Sequence, residues 1–169
     1  MLDCFTPTLF LNFDGTLHAG HALIAEDGQI ILDSDRPLFE FAPLLVEMLR
    51  PHPSVQIVLT TPWLQTLPLE RVIAHLPPEL AKRVVGTIRN FRPSLSYLQS
   101  GIDRTYNIGS YACGKRLENW IALDDAVYGV FKFGGDPGKL MQHFILLDSE
   151  RGISEEGAQQ RFREWLERQ

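Results

Sequence analysis

The stretch Leu9-Phe-Leu-Asn12-Phe-Asp14-Gly15-Thr16-Leu-His18-Ala-Gly20 decides the reading of this chain. A short apolar run rich in Leu and Phe stops at once on polar residues and a glycine. Apolar side chains in succession, rather than in alternation, mark a strand covered on both faces, as in a parallel sheet. The pattern predicts a strand over Thr8–Phe13. Residues two apart on a strand share a side, so Asn12 and Asp14 are expected to face the same way, with Gly15 turning the chain beside them. The first of the two is an amide where an acid would make a pair of carboxylates.

Similar runs recur along the chain. Val55–Leu59 ends in Thr60-Thr61-Pro62-Trp63, Trp120–Leu123 runs into Asp124-Asp125, and Phe144–Leu147 ends at Asp148. Val84–Ile88 reads as a further strand. Between them lie helical patterns: Leu38–Arg50 after Pro37, Leu69–Leu76, a turn at Glu79–Arg83, and Arg104–Cys113 with Asp103 as N-cap and Gly114 as stop. A last amphipathic helix runs through Trp165 and Leu166, with Ser154 as its cap. Asp27-Gly28 between His21–Ala25 and Gln29–Leu32 predicts a hairpin, because glycine accepts positive φ. Strands alternating with helices give an α/β sheet with right-handed crossovers, whose ligands bind at the carboxyl ends of the strands. The polar endings Asn12/Asp14, Thr60 and Asp124/Asp125 are therefore expected to meet in one crevice.

The chain of 169 residues suits one domain over residues 1–169. Its 44% apolar and 22% charged residues are ordinary for a globular protein. Net charge is −5, so nucleic acid and anionic membrane are not indicated as partners by charge, although Lys82, Arg83, Arg89, Arg92 and Arg104 fall in one region. Two distant cysteines, Cys4 and Cys113, make neither a disulfide framework nor a zinc site and read as free thiols of a reducing compartment. With no signal-peptide pattern and no apolar run near the roughly 20 residues of a membrane helix, the expected location is the cytoplasm.

Carboxylates around an oxygen-lined gap suit Mg²⁺, a hard ion that prefers octahedral oxygen ligands. A threonine hydroxyl and a cation at a helix N-terminus suit phosphate oxygens. Together these parts describe phosphoryl transfer.

"LFLNFDGTL", "IVLTT", Arg104 and "WIALDD" together resemble, in order and over nearly the whole chain, the four motifs of the haloacid dehalogenase-like (HAD) phosphohydrolase superfamily. The likeness is to small bacterial members of that superfamily. It implies a three-layer, Rossmann-like α/β fold with a parallel sheet, a β-hairpin flap at Asp27-Gly28 and no large cap domain. It implies a Mg²⁺-dependent phosphomonoester hydrolase working through an aspartyl-phosphate. Asn12 would occupy the nucleophile position, Asp14 would be the general acid/base and Thr60 would bind phosphoryl oxygens with Thr61 and Gly15. Arg104 would be the stabilising cation, with Lys115 and Arg116 as alternatives. Asn12, Asp14, Asp124 and Asp125 would make up the metal site.

Asn12 departs from that pattern. A carboxamide is a poor nucleophile and brings no charge to a metal. Two origins fit it: an acid replaced to quiet an enzyme, or a natural pseudoenzyme that keeps its pocket for binding. The intact Asp14 and Asp125 favour the first. The alternative function is a non-catalytic phospho-ligand binder or regulatory protein on a HAD scaffold. Short gaps at 17–54 and 62–102 leave no room for a large lid, which favours bulky phosphorylated substrates, a nucleic-acid end or a phosphoprotein, or closure by an oligomer partner. His18 and His21 read as surface hairpin residues, Trp63 as packing, Cys113 as core, and Asp148 as a structural residue.

Overall fold

The computed structural model describes residues 3–133 and 137–169. Its centre is a parallel sheet of β1 (Thr8–Leu11), β4 (Gln56–Leu59), β5 (Val84–Thr87), β6 (Trp120–Asp124) and β7 (Phe144–Leu146), in the spatial order β5-β4-β1-β6-β7. The hairpin β2 (Ala22–Ile24) and β3 (Ile30–Leu32) forms a separate antiparallel pair. Five strands with helices on both sides make the α/β, Rossmann-like architecture.

Successive β1 residues serve opposite layers. Leu9 and Leu11 join Ile57, Leu59, Ile121 and Leu123 on one face. There they meet α1 (Ala42–Leu49), α2 (Leu69–Ala74) and α7 (Glu156–Leu166), through Leu45, Leu49, Val72, Phe162 and Trp165. Phe10, Val58 and Ala122 face the other way, against Ile108, Tyr111 and Ala112 of α5 (Asp103–Gly114). The Phe10 ring stands edge-on to Tyr111 and Trp120, with centroids 5.5 and 5.3 Å away. Burial on both faces explains why the strand sequences are apolar without alternation. Three short helices, α3 (Pro78–Ala81), α4 (Leu95–Gln99) and α6 (Pro137–Met141), fill connections. Among the described residues no helix is long and apolar enough to cross a membrane.

Register sets the site. Leu11 lies opposite Leu59 on one side and Leu123 on the other. The residues that follow, Asn12, Thr60 and Asp124, therefore form one row across the three central strands. The sheet order reverses around β1, and this row lies at the reversal, where ligands of open α/β sheets bind.

Several element boundaries differ from the sequence expectation. β1 ends at Leu11, so Asn12 and Asp14 sit on the loop beyond it. The helix expected from Leu38 begins at Ala42, because Phe39 takes φ 56°, outside helical space, and Pro43 occupies the first turn instead of Pro37. Asp103 is the first helical residue of α5, with Ile102 in the cap position. Ser154 closes a 3₁₀ turn by donating to the Arg151 carbonyl, and α7 starts beyond it without a side-chain cap. Cys113 is exposed and is not a core residue.

Phe10 is fully buried between the sheet and α5. Phe10→Ala is expected to destabilise the fold by about 3–5 kcal/mol, read as a lower urea midpoint at unchanged m-value.

Candidate active site

Asn12 is the hub of the row. Its amide nitrogen donates to the Asp14 main-chain carbonyl (2.7 Å) and to Asp125 Oδ1 (3.0 Å). The opposite orientation would set an amide oxygen against two acceptors, so the partners fix which way the group points. The amide oxygen, Oδ1, is buried without a partner among the described residues.

The Asp14 carboxyl is held separately. Its Oδ1 accepts from the indole Nε1–H of Trp63 (3.0 Å) and lies 2.9 Å from Nε2 of the fully buried His18. His18 Nδ1 accepts from the Phe39 N–H, which makes Nε2 the protonated nitrogen and a second donor to Asp14. Oδ1 is thus committed to two donors, leaving Oδ2 as the oxygen available to hold and deliver a proton.

Asp124 is fully buried at the end of β6. Its Oδ1 accepts from Arg104 (2.6 Å) and the Ala126 N–H (2.9 Å), and its Oδ2 from the Thr60 hydroxyl (3.3 Å). Burial pushes its carboxyl up to about 6, against the pull of Arg104. For Arg104, burial opposes the charge, but attraction to Asp124 and Asp125 outweighs it and holds the guanidinium above its ordinary value. Asp125 lies 3.7 Å from the same Arg104 nitrogen. Its Oδ2 contacts His21 Nε2 and accepts from the Ser149 hydroxyl, both at 2.9 Å.

Gly15 makes this closeness attainable. It sits at φ +62°, and a Cβ there would lie 2.2 Å from Asp125 Oδ2. Thr61 turns away from the acids: its hydroxyl accepts from the Trp63 N–H, starting the 3₁₀ turn Pro62–Gln65.

The structure thus gathers Asn12, Asp14, Gly15, Thr60, Arg104, Asp124 and Asp125 at one end of the sheet. Arg104, in the first turn of α5, meets the acids, while Lys115 and Arg116 lie exposed past the helix's far end. Four contributors escaped the sequence reading. His18 is core rather than surface, and Trp63 hydrogen-bonds besides packing. His21 and Ser149 reach Asp125 from the flap and from the loop after β7. The spacing of His18 four residues beyond Asp14 was the one available signal.

A family model described as the HAD domain in Swiss Army Knife RNA repair proteins matches residues 8–158. The chain belongs to this family. No curated protein and no solved structure matches it significantly.

With the amide at position 12 held this way a divalent cation does not fit, whereas an acid there would replace its donors by lone pairs. The two oxygens that converge beside position 12, the Asp14 carbonyl and Asp125 Oδ1, already receive the N–H groups of Asn12. Donors point where a cation needs lone pairs. Arg104 already supplies positive charge to Asp124 and Asp125. Among the described residues no group of three His, Cys, Asp or Glu side chains is arranged to hold a metal ion.

Removing Arg104 leaves a buried carboxylate uncompensated. The folded value for Asp124 lies above its ordinary 3.8, so the stability this group contributes is present at low pH and is lost as pH rises through about 6. Arg104→Met is therefore expected to cost about 3–5 kcal/mol at pH 8 and much less at pH 5, where Asp124 takes up a proton. Urea denaturation at the two pH values reads the difference.

Proposed function

We propose that this HAD-family chain recognises phosphomonoesters through a phosphohydrolase site whose first chemical step is stopped at Asn12. The observation that supports the reading is the row Asn12, Thr60 and Asp124, with Asp14 and Arg104 around it. Thr60 and Arg104 supply O–H and N–H groups for phosphoryl oxygens, and Asp14 presents one unengaged carboxyl oxygen for proton transfer.

With an acid at position 12, a carboxylate oxygen would attack phosphorus, the ester P–O bond would break, and Asp14 would give its proton to the leaving oxygen. Water would then attack the aspartyl-phosphate, Asp14 would take the water's proton, and inorganic phosphate would leave. The Asn12 amide nitrogen has its lone pair delocalised and its hydrogens engaged, so the first bond does not form. The chain as it stands binds and does not turn over. The family's name ties the domain to RNA repair proteins, so a phosphorylated RNA end belongs among the substrates to assay.

Asn12→Asp is expected to raise hydrolysis of an aryl phosphate in Mg²⁺ buffer by at least about a thousandfold, with chelator abolishing the gain. Adding Asp14→Ala should remove it again. An Asn12→Asp protein that folds but stays inert towards aryl, nucleotide and RNA-end phosphates would overturn the hydrolytic reading.

A further inference from the structure

Beside the acids a cavity of about 300 Å³ opens between the loop after β5 and α5. That is the lower end of the range for small-molecule sites, roughly 300–1,000 Å³. Thr60 and Arg104 line it as well as the acid cluster, so the two spaces are continuous. Apart from one acid, Asp103, its other walls differ in kind from the acid cluster. Ile88, Phe91 and Leu98 are apolar, and Arg89 and Arg92 stand on the rim. Neither rim arginine has an acidic partner within ion-pair distance among the described residues. They form a local cationic edge on a molecule of net charge −5.

Asn107 is the informative residue. It lies one helical turn beyond Arg104 on α5 and therefore on the same face. Its amide oxygen is buried without a partner among the described residues, and its side chain lines the cavity. Buried acceptors are normally satisfied; this one is closed off from solvent, so the carboxamide offers its oxygen to a ligand's N–H by turning over at the cavity wall, an exchange its missing partner leaves free. A carboxamide offers one acceptor and one donor edge, which matches the edge of a nucleobase.

We infer that this cavity is a nucleobase subsite in which Asn107 reads the base edge of a nucleotide whose phosphate lies at Thr60 and Arg104. The inference rests on the phosphomonoester reading above. Phe91 supplies a flat face for the ring, and Arg89 and Arg92 face the next phosphate of a longer strand. A phosphopeptide fits less well, because it brings one anion to three arginines and no obligatory ring to Phe91.

The test uses the full chain, which binds without turnover. Calorimetric titrations compare inorganic phosphate, ribose 5-phosphate, phosphoserine, adenosine monophosphate and a 5′-phosphorylated diadenosine. The mononucleotide is expected to bind at least about tenfold more tightly than ribose 5-phosphate, and the dinucleotide more tightly again. Asn107→Leu should lower nucleotide affinity to the ribose 5-phosphate level, leave inorganic phosphate binding unchanged, and keep or raise Tm. Phe91→Ala, at a half-buried position, should weaken the nucleotide in the same selective way. Equal affinity for nucleotide and ribose 5-phosphate, a preference for phosphoserine, or an Asn107→Leu protein with undiminished nucleotide affinity overturns the subsite alone. Failure of every phosphate ligand to bind overturns the phosphomonoester reading beneath it.

Discussion

Three carboxyl groups gathered at the end of one sheet repel one another, and the site depends on how that repulsion is met. The chain answers with N–H and O–H donors placed atom by atom. Arg104 and the Ala126 N–H take Asp124 Oδ1, and Thr60 takes its Oδ2. Trp63 and His18 hold Asp14. His21, Ser149 and the Asn12 amide surround Asp125. The amide at position 12 fits this neutralising scheme better than an acid would, since a fourth carboxylate would face Asp125 and the Asp14 carbonyl with no proton between them. The amide at position 12 thus stabilises the cluster.

The central sheet and the row of polar endings were legible in the sequence because both follow from short-range rules. Apolar runs without alternation mark doubly covered strands, and parallel strands in register carry their last residues to one rim. Asp124 and Thr60 lie 64 residues apart and were still expected together, because each directly follows an apolar run. The hairpin at Asp27-Gly28 was equally readable, since Gly28 takes the positive φ the turn requires.

The supporting shell was less legible, for a physical reason. Trp63 and Ser149 reach the acids through single side-chain hydrogen bonds whose partners come from other segments, and composition carries no trace of such pairings. Trp63 looks like any aromatic after a strand until its indole nitrogen is found against Asp14. The start of α1 was misplaced because Pro37 is a good opening residue, while the left-handed turn at Phe39 is imposed by tertiary packing beside Phe13, His18 and Trp63. Asn107 gave no signal at all, since an asparagine within a helix is informative only once its surroundings are known.

Trp63 has a further implication. Its ring is packed among Phe13, Phe39 and His75, and its nitrogen aims the Asp14 carboxyl. Repacking that aromatic nest and re-aiming the Asp14 carboxyl are consequently one event. A residue of comparable bulk without an N–H at position 63 would therefore keep the layer beneath the crevice filled and still let the acid above it swing more freely.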